Sequence, residues 1–191
     1  MAGRTVILRG SPRRGGNSDA LADMFRSRAE ALGAVVTDVP LAELQYNGCI
    51  NLFHCKTGGE TSGQVDDLTP VLDDISRADV LVLASPVYFT SLSGQLKLAI
   101  DRFFSFFVPD YTTNPEKSRL GSGRHLVFLQ SQGEPEERYG DLMQSFETSF
   151  TGLGFDRQHL VRACGVRARG DVTGQAACQA RCAKVARDIY G

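Results

Sequence analysis

The stretch LRGSPRRGGNSDAL, Leu8 to Leu21, joins an apolar run to a helical pattern through a turn rich in glycine and arginine. Residues 5–9 before it form a short β-rich run, and Leu21, Met24 and Phe25 after it stand at helical spacing. Where a strand runs through such a turn into a helix, unpaired backbone N–H groups and the positive end of the helix dipole can meet an anion. The stretch therefore predicts a phosphate-binding turn.

The side chains of this turn provide further donors to a phosphate. Glycines allow the backbone to curl closely, while hydroxyl, amide and guanidinium groups add hydrogen bonds and charge. The candidate phosphate ligands are Ser11, Arg13, Asn17 and Ser18. The spacing fits neither G-x-x-x-x-G-K-[ST] nor G-x-G-x-x-G, which disfavours a nucleoside triphosphatase and a dinucleotide-binding domain. The simpler alternative is that Asn17 or Ser18 only caps the helix.

Strand-like and helical patterns alternate along the 191 residues. The predicted strands are 5–9, 34–39, 79–85, 124–130 and 155–164, and the predicted helices are 17–32, 65–76, 94–107, 135–151 and 173–190. This alternation predicts an α/β fold with an open parallel sheet covered on both faces, in one domain over residues 1–191. Such sheets bind ligands at the carboxyl ends of their strands.

A second informative stretch, ASPVYFTSLSGQLKLAIDRF at 84–103, begins at the carboxyl end of the third predicted strand and so faces the same edge. Pro86 fixes the backbone, and Tyr88 and Phe89 offer flat apolar surfaces to a planar heterocycle. Together the two stretches predict a flat, phosphorylated cofactor. We expect Asp101 and Arg102, further along the helix, to be helix-surface or interface residues.

Composition limits the classes of function. With 21 Lys and Arg against 22 Asp and Glu, the net charge of −1 gives no field that would attract nucleic acid or anionic lipid. The first residues are too polar for a signal peptide or a membrane span, which predicts a cytoplasmic protein without a membrane partner. Five cysteines without a CxxC pair predict neither a disulfide framework nor a zinc site, and the three histidines are too scattered to form a ligand set.

GSPRRGGNSDAL followed by SPVYFTSLSGQLKLAIDR resembles the NADPH-dependent FMN reductase family, in the subgroup close to iron–sulfur flavoproteins and quinone reductases. The segment QSQGEPE, 130–136, matches a third loop of that family. The resemblance implies a flavodoxin-like, doubly wound sheet in the order 2-1-3-4-5, with noncovalently bound FMN. It places the phosphate on the four candidates of the first turn and the isoalloxazine ring between the other two loops. The implied cofactor-binding residues there are Ser85, Pro86, Val87, Tyr88, Phe89, Ser131, Gln132 and Gly133.

In enzymes similar to this chain, NADPH or NADH passes a hydride to flavin N5, and an oxidised small molecule then takes the place of the nicotinamide. The acceptor would be a quinone, a nitro or azo compound, or a flavin. The flavin carries the chemistry, so no catalytic side chain is expected. A backbone amide near Val87 or Tyr88 would hydrogen-bond flavin N5 or O4. Backbone amides near Gly133 would stabilise negative charge on the pyrimidine end of the reduced flavin. The alternatives are an FMN electron carrier that never binds NADPH and a flavin-free regulatory domain.

The chain departs from the iron–sulfur flavoproteins between residues 45 and 67. Tyr46 stands where a first cysteine is expected, and only Cys49 and Cys55 follow, whereas a cubane cluster needs four thiolates. We therefore expect no cluster, and the two thiols are either inert or a redox-active pair. Relatives assemble as dimers or tetramers, so a homodimer or homotetramer is expected, with the phenylalanine-rich 101–111 at a subunit contact or forming a wall for substrate.

Overall fold

The computed structural model describes residues 3–58 and 62–191, which form a sheet between two layers of helices. The strands are β1 (Arg4–Arg9), β2 (Val35–Pro40), β3 (Val80–Pro86), β4 (His125–Ser131) and β5 (Arg157–Ala163). The helices are α1 (Asn17–Ala31), α2 (His54–Thr57), α3 (Thr69–Ser76), α4 (Gly94–Arg102), α5 (Gln144–Gly152) and α6 (Ala176–Tyr190). Short 3₁₀ turns cover Leu41–Glu43, Phe103–Phe106 and Asp171–Gly174.

The five strands are all parallel and lie in the order β2-β1-β3-β4-β5, which confirms the predicted flavodoxin-like topology. The central strand β3 is buried on both faces from Val80 to Ser85, because its apolar run has helices above and below. The first two strands of the chain are neighbours and the third joins on the far side of β1. The strand order therefore reverses beside β1, the position where such sheets bind ligands.

Two apolar layers cover the sheet. On one face, Leu81 and Phe128 of the sheet belong to the cluster that includes Leu96 of α4 and Phe150 of α5. On the other face, strand residues such as Val82 pack with α1 and α6. No described helix is long and apolar enough to cross a bilayer.

Residues 135–143, predicted as part of a helix, form turns instead, and α5 begins only at Gln144. Side chains at the end of β4 and just after it bind carbonyl groups that a helix would use: Gln132 Nε2 donates to Pro135 O at 2.8 Å and Gln130 Nε2 to Tyr139 O at 3.0 Å. Tyr139 adopts a positive φ of 59°. Side-chain hydrogen bonds to these backbone carbonyl groups thus override the helical pattern.

The helix predicted from residue 65 begins at Thr69, and Val65, the first residue of the predicted range, is 92% exposed. Thr69 Oγ1 accepts the backbone N–H of Asp66 at 3.0 Å, and Asp66 Oδ1 accepts that of Leu68 at 3.2 Å. These local bonds hold residues 66–69 in a turn, which delays the start of the helix.

Arg102 is buried in the core and is not the surface residue that the sequence predicted. Its side chain is inaccessible to solvent, and Nη1 forms an ion pair of 2.6 Å with Asp66 Oδ2. The remaining donors reach Ser62 Oγ, Asn47 O and Gln64 O at 2.9–3.1 Å. This arginine therefore fixes the long connection between β2 and α3 onto the end of α4.

His125 and His159 lie on the neighbouring strands β4 and β5. Their rings are nearly parallel, and Nδ1 of the first lies 3.1 Å from Nε2 of the second, joining β4 to β5. Burial, and for His125 the charge of its partner, lower the pKa of both imidazoles below the usual 6.5. Arg157, Arg181 and Lys184 add to this effect, whereas Asp156 and Asp188 oppose it.

Acidification should destabilise the fold through this histidine pair. A base whose folded-state pKa is lowered gives stability that is complete above its unfolded pKa of about 6.5 and is lost as the pH falls through the folded value. We expect a loss of about 1 kcal/mol, the scale of one hydrogen bond, in urea unfolding between about pH 8 and pH 5. His159→Gln should flatten that dependence, and His54→Gln, outside the pair, should not; equal slopes in all three proteins would contradict this origin.

Candidate functional site

Backbone hydrogen bonds connect the loops at the carboxyl edge of the sheet. Gly10 N–H donates to Ala84 O at 2.8 Å, Val87 N–H to Ser131 O at 2.8 Å, and Gln132 N–H to Ala163 O at 2.9 Å. A Cβ on Gly10 would lie 2.8 Å from Leu96 Cβ, so the first turn approaches α4 as closely as only glycine permits. The loops after β1, β3, β4 and β5 thus form one rigid rim.

A cleft of about 120 Å³ opens in this rim. Ten of the twelve predicted cofactor-binding residues line it: Ser11, Arg13, Asn17, Ser18, Pro86, Val87, Tyr88, Ser131, Gln132 and Gly133. Gly16, Val166 and Arg167 complete the lining. The structure therefore brings together three loops that lie as far as 120 residues apart in the sequence.

The amino end of α1 opens onto the cleft without a side-chain cap. The preceding turn is held from within: Ser11 Oγ accepts Arg13 N–H at 3.1 Å, and Asp19 Oδ2 accepts Gly15 N–H at 2.8 Å, with Gly15 at a φ of +65°. Burial raises the pKa of Asp19 above its usual value, although the bond from Gly15 acts in the opposite direction. The turn is preorganised, and the first helical N–H groups remain without a capping side chain.

The polar groups at this helix end suit a phosphate. Ser18 is buried, and its hydroxyl makes no hydrogen bond within the part of the chain that the structure describes. The guanidinium of Arg13 is likewise without an ion pair to any described residue. An uncapped helix end, an unused hydroxyl and an unpaired cation around one cleft are the donors that a phosphate needs, so these residues fit the phosphate of FMN.

The side-chain amide of Asn17 makes two hydrogen bonds within the protein. Its Nδ2 donates to Ala168 O at 2.8 Å, and its Oδ1 accepts Val172 N–H at 3.3 Å. The side-chain amide therefore joins the first turn to the loop after β5. Its predicted contact with phosphate remains a prediction, in which the backbone N–H of Asn17, at the helix end, is the available donor.

The loop after β3 makes a tight turn in which Tyr88 and Ser91 exchange two backbone hydrogen bonds of 2.9 and 3.0 Å. The two residues between them, Phe89 and Thr90, adopt positive φ values of 45° and 67°, which are strained for aromatic and β-branched side chains. Phe89 is fully exposed and lies outside the cleft lining. Such strain at a cleft is typical of loops that bind a ligand.

The backbone amides and the Ser85 hydroxyl of this loop make hydrogen bonds within the protein. The N–H groups of Val87 and Tyr88 already donate to Ser131 O and Ser91 O, so neither is free to bond a flavin. Ser85 is buried away from the cleft, and its hydroxyl accepts Ser93 N–H at 3.1 Å and donates to Pro86 O at 2.8 Å. Ser85 thus fixes the loop onto the start of α4, and its direct contact with a cofactor stays a prediction.

The loop after β4 depends on Gln132, whose side-chain amide holds the carbonyl groups of residues 134–138. Its Oε1 accepts Gln130 Nε2 at 2.6 Å. The amide side chain is therefore committed to the loop, while Gly133 beside it lines the cleft with its backbone.

Sequence reasoning missed Val166 and Arg167. Val166 N–H donates to Gln132 O at 2.9 Å, and Arg167 Nε to Gly133 O at 3.1 Å, so the loop after β5 packs against the loop after β4. The rule that ligands bind at the carboxyl ends of strands applies to β5 as well as to the other strands. Applied to the segment after Ala163, it would have identified this fourth wall.

Neither the cysteines nor another cavity competes with this site. Cys49 is exposed and Cys55 buried, and no group of three or more His, Cys, Asp or Glu within residues 3–58 and 62–191 could hold a metal ion. A larger cavity of about 840 Å³ lies at the opposite edge of the sheet, between the amino ends of β1, β3 and β4. None of the predicted cofactor-binding residues lines that cavity.

Comparison with known proteins identifies the family. The model of the NADPH-dependent FMN reductases matches residues 4–122, which include the first two loops of the cleft. The chain belongs to this family. The family assignment agrees with FMN as the predicted cofactor.

Individual relatives support the assignment. An iron–sulfur flavoprotein of Archaeoglobus fulgidus is 30% identical over 138 residues, 72% of this chain and 59% of that protein. The putative NAD(P)H-dependent FMN-containing oxidoreductase YwqN of Bacillus subtilis is 27% identical over 88% of both chains. An FMN-dependent NADH-azoreductase of Bacillus anthracis, solved with FMN, shares the fold with a TM-score of 0.74 at 16% identity over the full length of both chains. The chain thus spans about three-fifths of the archaeal relative.

Proposed function

We propose that this FMN reductase takes a hydride from NADPH or NADH and delivers the electrons to a small oxidised acceptor such as a quinone, a nitro or azo compound, or a flavin. The observation that carries the proposal is the cleft at the carboxyl edge, where the uncapped end of α1, Ser18 and Arg13 offer unused donors. Bound FMN supplies the chemistry of hydride acceptance and electron release.

The cleft is small, which bears on access for substrates. At about 120 Å³ it is well below the roughly 300–1,000 Å³ usual for sites that enclose a ligand. A cleft of this size would hold the phosphate and its polar chain, and the flat ring would then lie across the mouth, between residues 86–88 and Gly133. One face of the ring would remain open to a nicotinamide and then to an acceptor, which supports successive use of one site.

The residues of the protein would then bind the cofactor and orient its ring. Tyr88, 45% exposed at the rim, offers an aromatic surface beside the mouth, and the double hydrogen bond to Ser91 fixes its backbone. Ser85 and Asn17 hold the loops in place from behind, as described above. No side chain needs to move a proton at the reacting position.

The test is an absorbance experiment on the purified protein reconstituted with FMN and mixed with NADPH without oxygen. Rapid bleaching of the flavin bands, with faster NADPH consumption once a quinone is added, is the expected result. Bands that persist would instead favour a non-enzymatic FMN electron carrier. A protein that binds no FMN would refute the proposal altogether.

We also propose a homodimer or homotetramer that acts in the cytoplasm. Support comes from the aromatic groove of about 320 Å³ between α4 and α5, which includes Phe104, Phe107 and Phe146. Gel filtration at micromolar concentration should give a mass of at least two chains, and a monomer would contradict the proposal.

A further inference from the structure

Arg167 brings a positive charge to the end of the cleft that the loop after β4 forms. Its Nε donates to Gly133 O at 3.1 Å, and its Nη2 lies 3.2 Å from Glu134 Oε1. Its backbone N–H donates to Asp171 Oδ2 at 2.8 Å. Since both its main chain and its guanidinium are anchored, this charge has a defined place on the wall of the cleft although the side chain is largely exposed.

The same end of the cleft offers two further donors. Neither the N–H of Gly133 nor Nη1 of Arg167 makes a hydrogen bond to any residue that the structure describes. A Cβ at position 133 would lie 3.2 Å from Arg167 Cγ, so the glycine lets the arginine side chain lie against the loop. A neutral and a charged donor therefore stand together at the cleft wall.

The position of these donors determines which part of a bound cofactor they meet. The phosphate donors belong to the turn after β1, whereas the guanidinium is bonded to the loop after β4, two strands away. With neighbouring strands about 4.8 Å apart, roughly 10 Å separates the two strand ends. If the phosphate binds at the turn after β1, Arg167 would therefore lie on the ring side of the cofactor and not on the phosphate side.

Reduction changes the charge of that ring. A hydride adds two electrons and one proton to a neutral ring, which then carries one negative charge until a second proton is taken up. This charge resides on the pyrimidine portion, and a nearby cation stabilises the reduced form relative to the oxidised one. Glu134, paired with Arg167, acts in the opposite direction.

We propose that Arg167 is a cofactor-binding residue that stabilises the negative charge of reduced FMN and so raises the reduction potential of the bound cofactor. The inference rests on the proposed function. It adds to the site a residue of the loop after β5 that changes the reduction potential of bound FMN. The carboxylate of Glu134 partly neutralises the charge of Arg167 and so reduces its effect on the cofactor.

The test compares Arg167→Gln, Arg167→Lys and Glu134→Gln with the wild-type protein. The midpoint potential of bound FMN is measured against a reference dye, and the dissociation constant of oxidised FMN by fluorescence titration. We expect Arg167→Gln to weaken binding of reduced FMN about tenfold more than that of oxidised FMN, equivalent to a potential about 30 mV lower for a two-electron couple. Arg167→Lys should recover part of this shift, and Glu134→Gln should move the potential upward.

Other outcomes separate this proposal from its rivals. Equal weakening of both redox forms would mean that Arg167 only clamps the loop, and a loss seen with FMN but not with riboflavin would assign it to the phosphate; either overturns the proposal. Should Arg167→Gln fail to bind FMN, an unchanged potential in Glu134→Gln would overturn it as well. A wild-type protein that binds FMN but is not reduced by NADPH would refute the reductase activity alone, since the potentials remain measurable.

Discussion

Replacing Arg102 with methionine should lower the free energy of unfolding by about 3–5 kcal/mol, the range for removing one partner of a buried ion pair. The substitution keeps much of the apolar volume but removes the donors to Asp66, Ser62 and two backbone carbonyl groups. The Asp66 carboxylate, only 16% exposed, would be left without its cation. Urea unfolding measures the loss, and a melting temperature lower by about 10 °C would accompany it.

The controls for this prediction are a neighbour and a double variant. Asp101→Asn breaks only the exposed pair with Lys97 and should change stability by less than about 0.5 kcal/mol. Arg102→Met combined with Asp66→Asn should recover part of the loss, because no buried charge is then left alone. A change below about 1 kcal/mol in Arg102→Met would show that the connection between β2 and α3 does not depend on this arginine.

Arg102 also shows where sequence reasoning reaches its limit. Arginine is rarely buried, so its place in a helical segment gave no reason to expect a core position. Its partners lie 36–55 residues earlier, in a connection without regular periodicity. Only the folded structure places these acceptors around one guanidinium.

The sheet, unlike the burial of Arg102, was predictable because its signals are local in the sequence. Apolar runs such as Val80–Ala84 and their alternation with helices are local signals, and the parallel topology follows from them together with the family resemblance. The segment 135–143 was predicted wrongly because the side-chain amides of Gln130 and Gln132, just before it, bind its carbonyl groups, and residue type alone does not reveal which carbonyl an amide will bind.

The candidate site divides in the same way. Residues of the first three loops were found because each loop directly follows a predicted strand and bears a recognisable pattern. Arg167 was missed because its loop has no recognisable motif. The residue types of Val87 and Tyr88 also do not reveal that their backbone N–H groups donate to Ser131 O and Ser91 O. Residue type and position after a strand predict which residues line the cleft. The hydrogen-bond partner of each donor depends on how the loops pack against one another in the folded protein.

Ser18→Asp should weaken FMN binding about a thousandfold while leaving the apoprotein folded. The hydroxyl lies at the end of α1 and opens onto the cleft, so a carboxylate there would occupy the place of a phosphate oxygen. Two unit charges about 4 Å apart at an effective dielectric constant near 20 repel by about 4 kcal/mol, which corresponds to about three powers of ten in affinity. A helix amino end favours an acidic side chain, whereas burial of a carboxylate at Ser18 opposes it, so urea unfolding of the apoprotein is measured alongside to check that the variant is folded.

Two comparisons make this result specific. Ser18→Asn is similar in size but uncharged, so it should weaken FMN binding far less. Riboflavin, which lacks the phosphate, should bind the wild-type and Ser18→Asp proteins with affinities within a few-fold of each other. If the aspartate weakened riboflavin and FMN equally, the turn after β1 would contact the ring, and the orientation assigned to the cofactor would have to be reversed. Fluorescence titration of both ligands decides between these orientations because the phosphate is their only chemical difference.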